Sequence, residues 1–410
     1  MAPFFSILVI TYNRPQLLQS TLRSLAQQTF QDFEVYLLDN ASAEPVEDIA
    51  RNILGDHLVH YDRRQKNSRD GIELMEPIYD RLSGRYLLIL ADDDGLVPSA
   101  LQRVYYVAEK YGSAVISTNL VYYVHPEVVP IGNQIYVPPA TGCLYRYQPM
   151  KLLKSFLSVW GIGTLHDHYL TPDSHLSATF LSIDCISMLR KLKIPLMVRP
   201  LGDVGLLSML IHGNSVEIID QPLVLIGKAS VRDLDGMKPG RRYYWKNIWP
   251  INPRAPLKAL SFVNIAIESH LEVVFFNQQW LLDYSTELQP LYYFRHLREV
   301  IQDHPWTRQT FLDIGEWITV VVAMPPRKLF GMVKYLLTYF TRLLKKIFHP
   351  RRTKQDWISG SQAGFDDLAS AAAWVESHFA TPLSENIPAL DGALYQRPEN
   401  ALQPHQVVYR

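Results

Sequence analysis

The stretch that runs from residue 85 to residue 98 reads RYLLILADDDGLVP. It joins an apolar run of strand length to three consecutive carboxylates, Asp92, Asp93 and Asp94. Neighbouring carboxylates raise one another's pKa and are costly in a packed core, so we expect them at the open carboxyl end of a buried strand. Oxygen ligands on a short, stiff element suit Mg²⁺ or Mn²⁺ together with phosphate oxygens. The stretch therefore predicts either a site for a metal and a diphosphate or a solvated acidic turn.

Upstream of this stretch, strands and helices alternate. Residues 6–10 and 33–38 are apolar runs typical of strands buried on both faces, and a shorter run covers residues 57–61. Leucines at helical spacing after Pro15 predict a helix between the first two strands. Such alternation predicts an α/β fold with a mostly parallel sheet, right-handed crossovers and flanking helices.

Polar residues follow three of the predicted strands, at the point where each strand ends. These clusters are Thr11–Arg14, Asp39–Ser42 and Asp92–Asp94. Ligands of parallel α/β sheets bind beyond the carboxyl ends of the strands. Because all three clusters lie at carboxyl ends, we expect them to meet on one rim of the sheet and to form one binding site.

The amino-acid composition excludes several classes of protein. The chain has 410 residues, enough for one large domain with appendages or for two domains, and its 40 Lys and Arg balance its 40 Asp and Glu. No overall charge therefore attracts nucleic acid. Cys143 and Cys185 are far apart and lack CxxC spacing, which argues against a disulfide framework or a thiolate zinc site. Without a basic leader or a run of eighteen uncharged apolar residues, we expect a cytoplasmic chain that does not span a membrane.

From about residue 250 the pattern changes to long helices with apolar stripes. Residues 327–349 predict an amphipathic helix, and nine Lys or Arg but no acid occur between Arg327 and Lys354. This pattern is typical of a helix that lies in a membrane interface; the alternative is a helix packed on the domain with a solvated basic edge. Residues 353–410 are polar and predict a largely flexible tail with one short helix near residues 366–379.

The order and spacing of the strand-end motifs resemble those of the nucleotide-sugar-dependent glycosyltransferases of family 2, which have the GT-A fold. The resemblance covers roughly the first half of the chain and includes one departure, Ala91, where many members have an acid. The residues that carry it are SILVITYNR at 6–14, LLDNAS at 37–42, Asn67 with Gly71, and YLLILADDD at 86–94 with Pro98.

The resemblance, together with the change of sequence pattern near residue 250, predicts three parts of the chain. Residues 1–245 would form a Rossmann-like GT-A domain, with a nucleotide-binding half at 1–120 and an acceptor half at 121–245. Residues 246–352 would form a helical extension that includes the basic helix 327–349, and residues 353–410 the flexible tail.

Carried over to this sequence, the resemblance also implies roles for single residues. Thr11, Tyr12, Asn13 and Arg14 would line the nucleoside pocket. Asp39 would accept a hydrogen bond from the base, typically uracil, because an ionised carboxylate is an acceptor. Asn67 would approach the nucleotide from its other side. Asp92 and Asp93 would contact the nucleotide, and Asp92 and Asp94 would bind Mg²⁺ or Mn²⁺ on the diphosphate.

Inverting sugar transfer requires a general base on the acceptor hydroxyl, opposite the departing diphosphate. In the family this base is usually an Asp that opens a helix some way after the acidic cluster, and Asp203 occupies that place here. Gly202 stands where the family has Glu. Asp203 is also a candidate helix N-cap, and the two roles are compatible.

The function that the resemblance implies is metal-dependent, inverting transfer of a sugar from a nucleotide-diphosphate sugar, UDP-linked above all. The acceptor would be a hydroxyl of a glycan or a lipid-linked glycan, as in polysaccharide biosynthesis. The basic helix predicted at residues 327–349 would bind the enzyme to the inner, anionic face of the membrane. One alternative is a non-catalytic glycan- or membrane-binding module on the same fold, which Ala91 and Gly202 favour. Another is a sugar-1-phosphate nucleotidyltransferase, which would need a glycine-rich basic loop where Tyr12, Asn13 and Arg14 stand.

Overall fold

The computed structural model describes residues 2–68, 71–138, 140–147, 169–170, 176–191, 216–229, 257, 293, 297, 300–301, 307–326, 329–330, 357–383 and 395–396. Within these ranges the helices are α1 (Pro15–Ala26), α2 (Glu47–Leu54), α3 (Gly71–Met75), α4 (Ala100–Tyr111), α5 (Ile183–Lys191), α6 (Arg308–Val322), α7 (Gly360–Ala363) and α8 (Leu368–Phe379). The strands are β1 (Phe5–Thr11), β2 (Phe33–Asp39), β3 (Leu58–Arg63), β4 (Tyr86–Ala91), β5 (Gly95–Leu96), β6 (Val115–Val124), β7 (Gln134–Tyr136), β8 (Leu144–Tyr147), β9 (Tyr169–Leu170), β10 (Thr179–Ser182), β11 (Val216–Lys228), β12 (Ile358–Ser359) and β13 (Tyr395–Gln396).

Four parallel strands form the half of the sheet that carries the three polar clusters, in the order β4, β1, β2, β3. β1 and β4 are continuous apolar runs because both of their faces are covered. The helix predicted between the first two strands is α1, and it begins at Pro15, where a proline suits the first turn. The predicted α/β fold class is confirmed.

Beyond β4 the sheet becomes mixed. β10 lies between β4 and β6 and runs antiparallel to both. β11 runs parallel to β6 along its whole length, with register shifts around Pro222, and pairs with β5 and β8 in the antiparallel sense. Its carboxyl end therefore passes next to the segment that follows β4. β9 and β13 pair with each other in a separate two-stranded ladder.

Among the described residues, the last segment in sequence that contacts the main sheet is residues 357–383, which we call the C-terminal clasp. Its strand β12 pairs with β7, and α8 packs against α1, β5 and β11. Its buried side chains, which join the same hydrophobic core as β1 and β4, are Phe365, Leu368, Trp374, Val375 and Phe379. The short helix predicted near residues 366–379 is present. The prediction of a largely flexible tail is corrected for this segment, because its apolar side chains fill the core instead of facing water.

Helix α6 exposes four large apolar side chains and buries two polar ones. Thr310 and Asp313 are buried, and Trp317 Nε1 donates a hydrogen bond to the Tyr293 carbonyl at 2.7 Å. The side chains exposed on the other side are Phe311 (57%), Leu312 (58%), Ile318 (50%) and Val322 (76%). In the part of the chain that the structure describes, no helix has the length and apolarity needed to cross a membrane. Most of the helical extension predicted over 246–352, including nearly all of the basic helix 327–349, lies outside the described residues.

Candidate active site

The register of the parallel strands brings the three polar clusters together. Thr11 is the partner of Asp39, and Ile10 is the partner of Ala91, so the residues that follow β1, β2 and β4 share one rim of the sheet. The first and third clusters are in direct contact: Thr11 Oγ1 donates a hydrogen bond to Asp92 Oδ2 at 2.8 Å, and the Tyr12 amide donates to the same oxygen at 3.2 Å. The expectation that the clusters meet on one rim is therefore met.

The loops that follow β1 and β2 are interlocked. The Asn13 amide donates to Ser42 Oγ at 2.9 Å, and Asn13 Oδ1 accepts from the Ala43 amide at 2.7 Å. Asn13 and Ala41 both have positive φ, 55° and 70°. Non-glycine residues in this conformation cost free energy and are found where the surroundings impose them, often at functional sites. The rim is thus a fixed structure in which Asn13 holds the loop after β2.

Asp39 is fully buried at the end of β2. Its Oδ1 accepts from the Ser42 amide at 2.7 Å, and its Oδ2 accepts from the Tyr61 hydroxyl at 3.0 Å and lies 3.5 Å from Arg63 Nε. Burial, followed by the bond to Asp39, raises the pKa of Tyr61 to about 12. Each carboxylate oxygen has two lone pairs, so Asp39 keeps acceptor capacity for a ligand N–H.

Asn67 lies half-buried in the loop after β3. Its neighbour Ser68 ties this loop to the end of β2: the Ser68 amide donates to Asn40 Oδ1 at 3.0 Å, and Asn40 Nδ2 donates to the Ser68 carbonyl at 2.7 Å. The Arg64 amide also donates to the Asp39 carbonyl at 2.9 Å. The loop that contains Asn67 is thus bound to the end of β2, and the role of Asn67 toward a nucleotide stays a prediction.

The acidic turn, by which we mean Asp92, Asp93 and Asp94, is buried. The exposed fractions of these residues are 4%, 9% and 1%. This is at odds with the alternative of a solvated turn. Arg14 Nη1 lies 3.4 Å from Asp92 Oδ1 and 3.4 Å from Asp93 Oδ2. Burial raises the pKa of Asp92, while the Arg14 charge and the hydrogen bonds from Thr11 and Tyr12 act in the opposite direction. The charged form of Asp92 is thus disfavoured by burial, and a cation at the turn would offset that cost.

Asp94 is held by two partners that come from distant parts of the chain. Its Oδ1 accepts from the Gly227 amide at 3.0 Å, and its Oδ2 accepts from Ser177 Oγ. Gly227 has no room for a side chain, because a Cβ there would lie 1.9 Å from the Asp93 carbonyl oxygen. That carbonyl also accepts from His125 Nε2 at 2.9 Å, and burial lowers the pKa of His125. The acidic turn is therefore held by β11 and by residues that adjoin the ends of β6 and β10.

The carboxylates of the acidic turn suit a divalent metal that is also bound by the phosphates of a substrate. Among the described residues, no three His, Cys, Asp or Glu side chains form a group that would hold a metal by themselves. Mg²⁺, however, is commonly bound by one or two carboxylates together with substrate phosphates. Asp92 and Asp94 supply two buried carboxylates on one turn, so they fit a metal that arrives with a diphosphate.

One predicted site residue lies outside the described part of the structure, and the sequence did not predict four residues that contact the site. Asp203, the predicted base, lies outside the described residues and stays a prediction. Tyr61, Ser177, His125 and Gly227 were not predicted. Only Gly227 has a local signal, since a glycine inside an apolar strand marks a close approach of another backbone.

We expect the Arg14→Gln substitution to raise the pKa of Asp92 further, because the guanidinium charge favours the ionised carboxylate. A carboxyl ¹³C NMR titration, with Asp92→Asn used to assign the signal, measures this shift. Since the folded-state pKa of Asp92 is already raised, its contribution to stability falls as the pH rises through that pKa, and the variant should show this fall at higher pH. An unchanged or lowered pKa in the variant would show that the pair with Arg14 is not formed.

Comparison with known proteins was consistent with the strand-end motifs. Residues 6–161 match the family model described as glycosyl transferase family 2. A GalNAc(5)-diNAcBac-PP-undecaprenol beta-1,3-glucosyltransferase of Campylobacter jejuni is 29% identical over 100 residues, which are 24% of this chain and 32% of that protein. A PGL/p-HBAD biosynthesis glycosyltransferase of Mycobacterium bovis is 36% identical over 99 residues, 23% of this chain and 37% of that protein. The chain thus spans about a third of the length of these relatives.

Two solved structures resemble the chain at low similarity. S. aureus TarS 1-349 in complex with UDP-GlcNAc has a TM-score of 0.43 at 15% identity, covering 77% of this chain and 90% of that one. The mannosyltransferase PcManGT from Pyrobaculum calidifontis, in complex with GDP-Man and Mn2+, has a TM-score of 0.40 at 13% identity, covering 92% of this chain and 87% of that one.

Proposed function

We propose that this chain, whose residues 6–161 match the glycosyl transferase family 2 model, transfers a sugar from a nucleotide-diphosphate sugar to a hydroxyl of a glycan or lipid-linked glycan. The observation that carries the proposal is the buried acidic turn, held against Thr11 and Arg14 on the rim that also carries Asp39. Buried carboxylates on a ligand-binding rim are costly unless a charged ligand uses them.

In this proposal the rim binds the nucleotide part of the donor. Asp39 accepts a hydrogen bond from the base, uracil in the first instance, while Thr11, Tyr12, Asn13 and Arg14 line the nucleoside pocket. Asn67 closes the pocket from the loop after β3. The interlocked loops at Asn13 and Ser42 keep these groups in place before the donor arrives, which lowers the entropy cost of binding.

In the transfer step, the acidic turn would bind the metal on the diphosphate, and the predicted base would act on the acceptor. Asp92 and Asp94 would hold Mg²⁺ or Mn²⁺, which when bound neutralises charge on the diphosphate. Asp93, paired with Arg14, contacts the nucleotide. Asp203 takes the proton of the acceptor hydroxyl. The oxygen of that hydroxyl bonds to the anomeric carbon as the bond between this carbon and the diphosphate breaks, which inverts the anomeric configuration. Inversion and the role of Asp203 rest on the family resemblance.

The acceptor class is proposed from the relatives and the sequence pattern. The Campylobacter jejuni relative is named for a substrate linked to undecaprenol by a diphosphate. A lipid-linked glycan would also suit an enzyme at the inner face of a membrane, in polysaccharide biosynthesis. The exposed apolar side of α6, followed in sequence by nine basic residues, supports a peripheral contact with an anionic lipid surface.

The function is tested by calorimetric titration of the whole chain with UDP, GDP, CDP and dTDP, each with and without Mn²⁺. We expect one nucleotide to bind tightly and its affinity to fall without the metal. The same nucleotide linked to a sugar should then be hydrolysed slowly in the absence of acceptor. If none of the four binds, the chain is better explained as a non-catalytic glycan- or membrane-binding module on this fold.

The membrane contact makes a separate prediction. We expect the chain to co-sediment with vesicles that contain anionic lipid at low salt, and the double variant Ile318→Asp, Val322→Asp to lose this binding, because it puts charge on the exposed side of α6. Val59→Asp is the matched control, since Val59 is an equally exposed apolar residue on β3. Equal vesicle binding by the double variant and the control would exclude α6 as the contact.

A further inference from the structure

The C-terminal clasp contacts Gly95, the residue that directly follows the acidic turn. Leu368, fully buried at the start of α8, packs on the backbone of Gly95, the residue that follows Asp94. A Cβ at Gly95 would lie 3.0 Å from Leu368 Cδ2 and 3.2 Å from Ser24 Oγ, so a side chain there would displace these neighbours by a few tenths of an ångström. Gly95 is therefore enclosed between α1 and the clasp.

Helix α1 forms hydrogen bonds with the backbone on both sides of Gly95. Thr21 Oγ1 donates to the Asp92 carbonyl at 2.9 Å, and Ser24 Oγ accepts from the Leu96 amide at 3.3 Å. The clasp in turn contacts α1: Arg23 Nη1 lies 3.6 Å from Asp367 Oδ2, next to Leu368. The acidic turn and the clasp thus share α1 as a common support.

A second route joins the clasp to the opposite side of the turn. The Phe365 carbonyl accepts from Asn133 Nδ2 at 2.9 Å, and Asn133 Oδ1 accepts from the Tyr123 hydroxyl at 3.1 Å. The Tyr123 ring meets the His125 ring edge to face at 4.8 Å, and His125 Nε2 donates to the Asp93 carbonyl at 2.9 Å. Each member of this series contacts the next, from the clasp to the backbone of Asp93.

A third group of contacts fixes the segment just after the turn. Glu376 on α8 accepts from the Ser99 amide at 3.3 Å and from Ser99 Oγ at 2.8 Å. Arg103 Nη2 lies 3.7 Å from the other oxygen of Glu376. The clasp therefore spans from the acidic turn to the first turn of α4.

We infer that the clasp is part of the donor site's supporting structure, and that Leu368 and Tyr123 are positioning residues for the acidic turn. Carboxylates bind a metal and a diphosphate well only when their oxygens are held in place by the groups behind them. Those groups here include a segment that begins almost 200 residues after the family match ends at residue 161. This inference rests on the proposed function for its ligand, but the position of the turn is measurable without any ligand.

Leu368→Ala tests the direct contact, with Val375→Ala as its matched control. Both remove a buried aliphatic side chain from α8 and both should lower stability, but Val375 lies two helical turns away from Leu368. At a temperature where both variants are folded by circular dichroism, the probe is Mn²⁺ with whichever of UDP, GDP, CDP and dTDP binds the unaltered chain. We expect the dissociation constant to rise about tenfold in Leu368→Ala, as for other groups that orient metal ligands, and to stay unchanged in Val375→Ala.

Amide hydrogen exchange gives the ligand-free readout. Leu368→Ala should speed exchange in the peptide that covers residues 91–98 relative to the peptide that covers β1, and Val375→Ala should not. Tyr123→Phe, which keeps the ring and removes only the bond to Asn133, should have the same effect on the turn in a milder form. Equal exchange at residues 91–98 in all variants and the unaltered chain overturns the inference. Failure of the unaltered chain to bind any nucleotide, with faster exchange in Leu368→Ala, would reject the proposed function and leave the clasp's role in place.

Discussion

Asp94→Asn is expected to lower the metal-dependent affinity for the nucleotide, and the rate of hydrolysis of the nucleotide-sugar, by at least about 100-fold. This loss exceeds the one expected when a group that only orients a metal ligand is removed. The substitution removes a charge from the proposed metal ligand. It also gives the side chain an NH₂ group, whereas both Asp94 oxygens accept hydrogen bonds, from the Gly227 amide and from Ser177 Oγ. The asparagine oxygen would have to face the Gly227 amide, and the NH₂ group would face Ser177 Oγ, which would then accept a hydrogen bond instead of donating one.

The matched control for this experiment is Ser177→Ala, which removes one hydrogen bond and keeps the Asp94 charge. Calorimetry of nucleotide binding with and without Mn²⁺ should show a small loss in Ser177→Ala and a near-complete loss in Asp94→Asn. A protein with asparagine at this position that kept its full dependence on the metal would show that the ion is bound elsewhere.

The second large effect concerns stability and a part of the chain whose composition suggests disorder. Trp374→Ala should lower the free energy of unfolding by about 3–5 kcal/mol, the cost of emptying a buried aromatic site. Trp374 is 9% exposed, its ring lies near those of Phe365 and Phe379, and it stacks on His378 at 4.1 Å. Urea unfolding measures the change.

The comparison for this variant is Phe311→Ala on α6, whose side chain is 57% exposed and should cost little. If Trp374→Ala were no more destabilising than Phe311→Ala, the clasp would not be part of the core in solution, and the prediction of a flexible tail would be right after all.

The parts of the site that could be predicted from the sequence are those with a local signal. β1, β2 and β4 are buried apolar runs that end abruptly in polar residues, and parallel strands put their carboxyl ends on one rim. That pattern was enough to bring Thr11, Asp39 and Asp92 together. The α/β class followed from the same alternation of strands and helices.

The supports of the acidic turn could not be predicted, because their partners are far apart in sequence. Ser177 and Gly227 reach Asp94 across 83 and 133 residues, and nothing in either local sequence specifies the pairing. The clasp was misjudged for a related reason. Residues 353–410 taken together are polar and contain many Ser, Gln, Asn and Pro, and this average concealed a segment whose large apolar side chains, among them Leu368 and Trp374, fill the core.

The clasp also has a consequence for the synthesis of the protein. Its contacts join residues as distant in the chain as Ser99 and Glu376, 277 positions apart. Domains fold from the N-terminus as the ribosome releases them, at about 5–20 residues per second, so the roughly 200 residues between the family match and the clasp take about 10–40 s to translate. During that interval the apolar surface that α8 will cover on α1 and β5 is open to other nascent chains. We therefore expect the growing polypeptide to need a chaperone at this stage, and messages truncated near their 3′ end to yield aggregates.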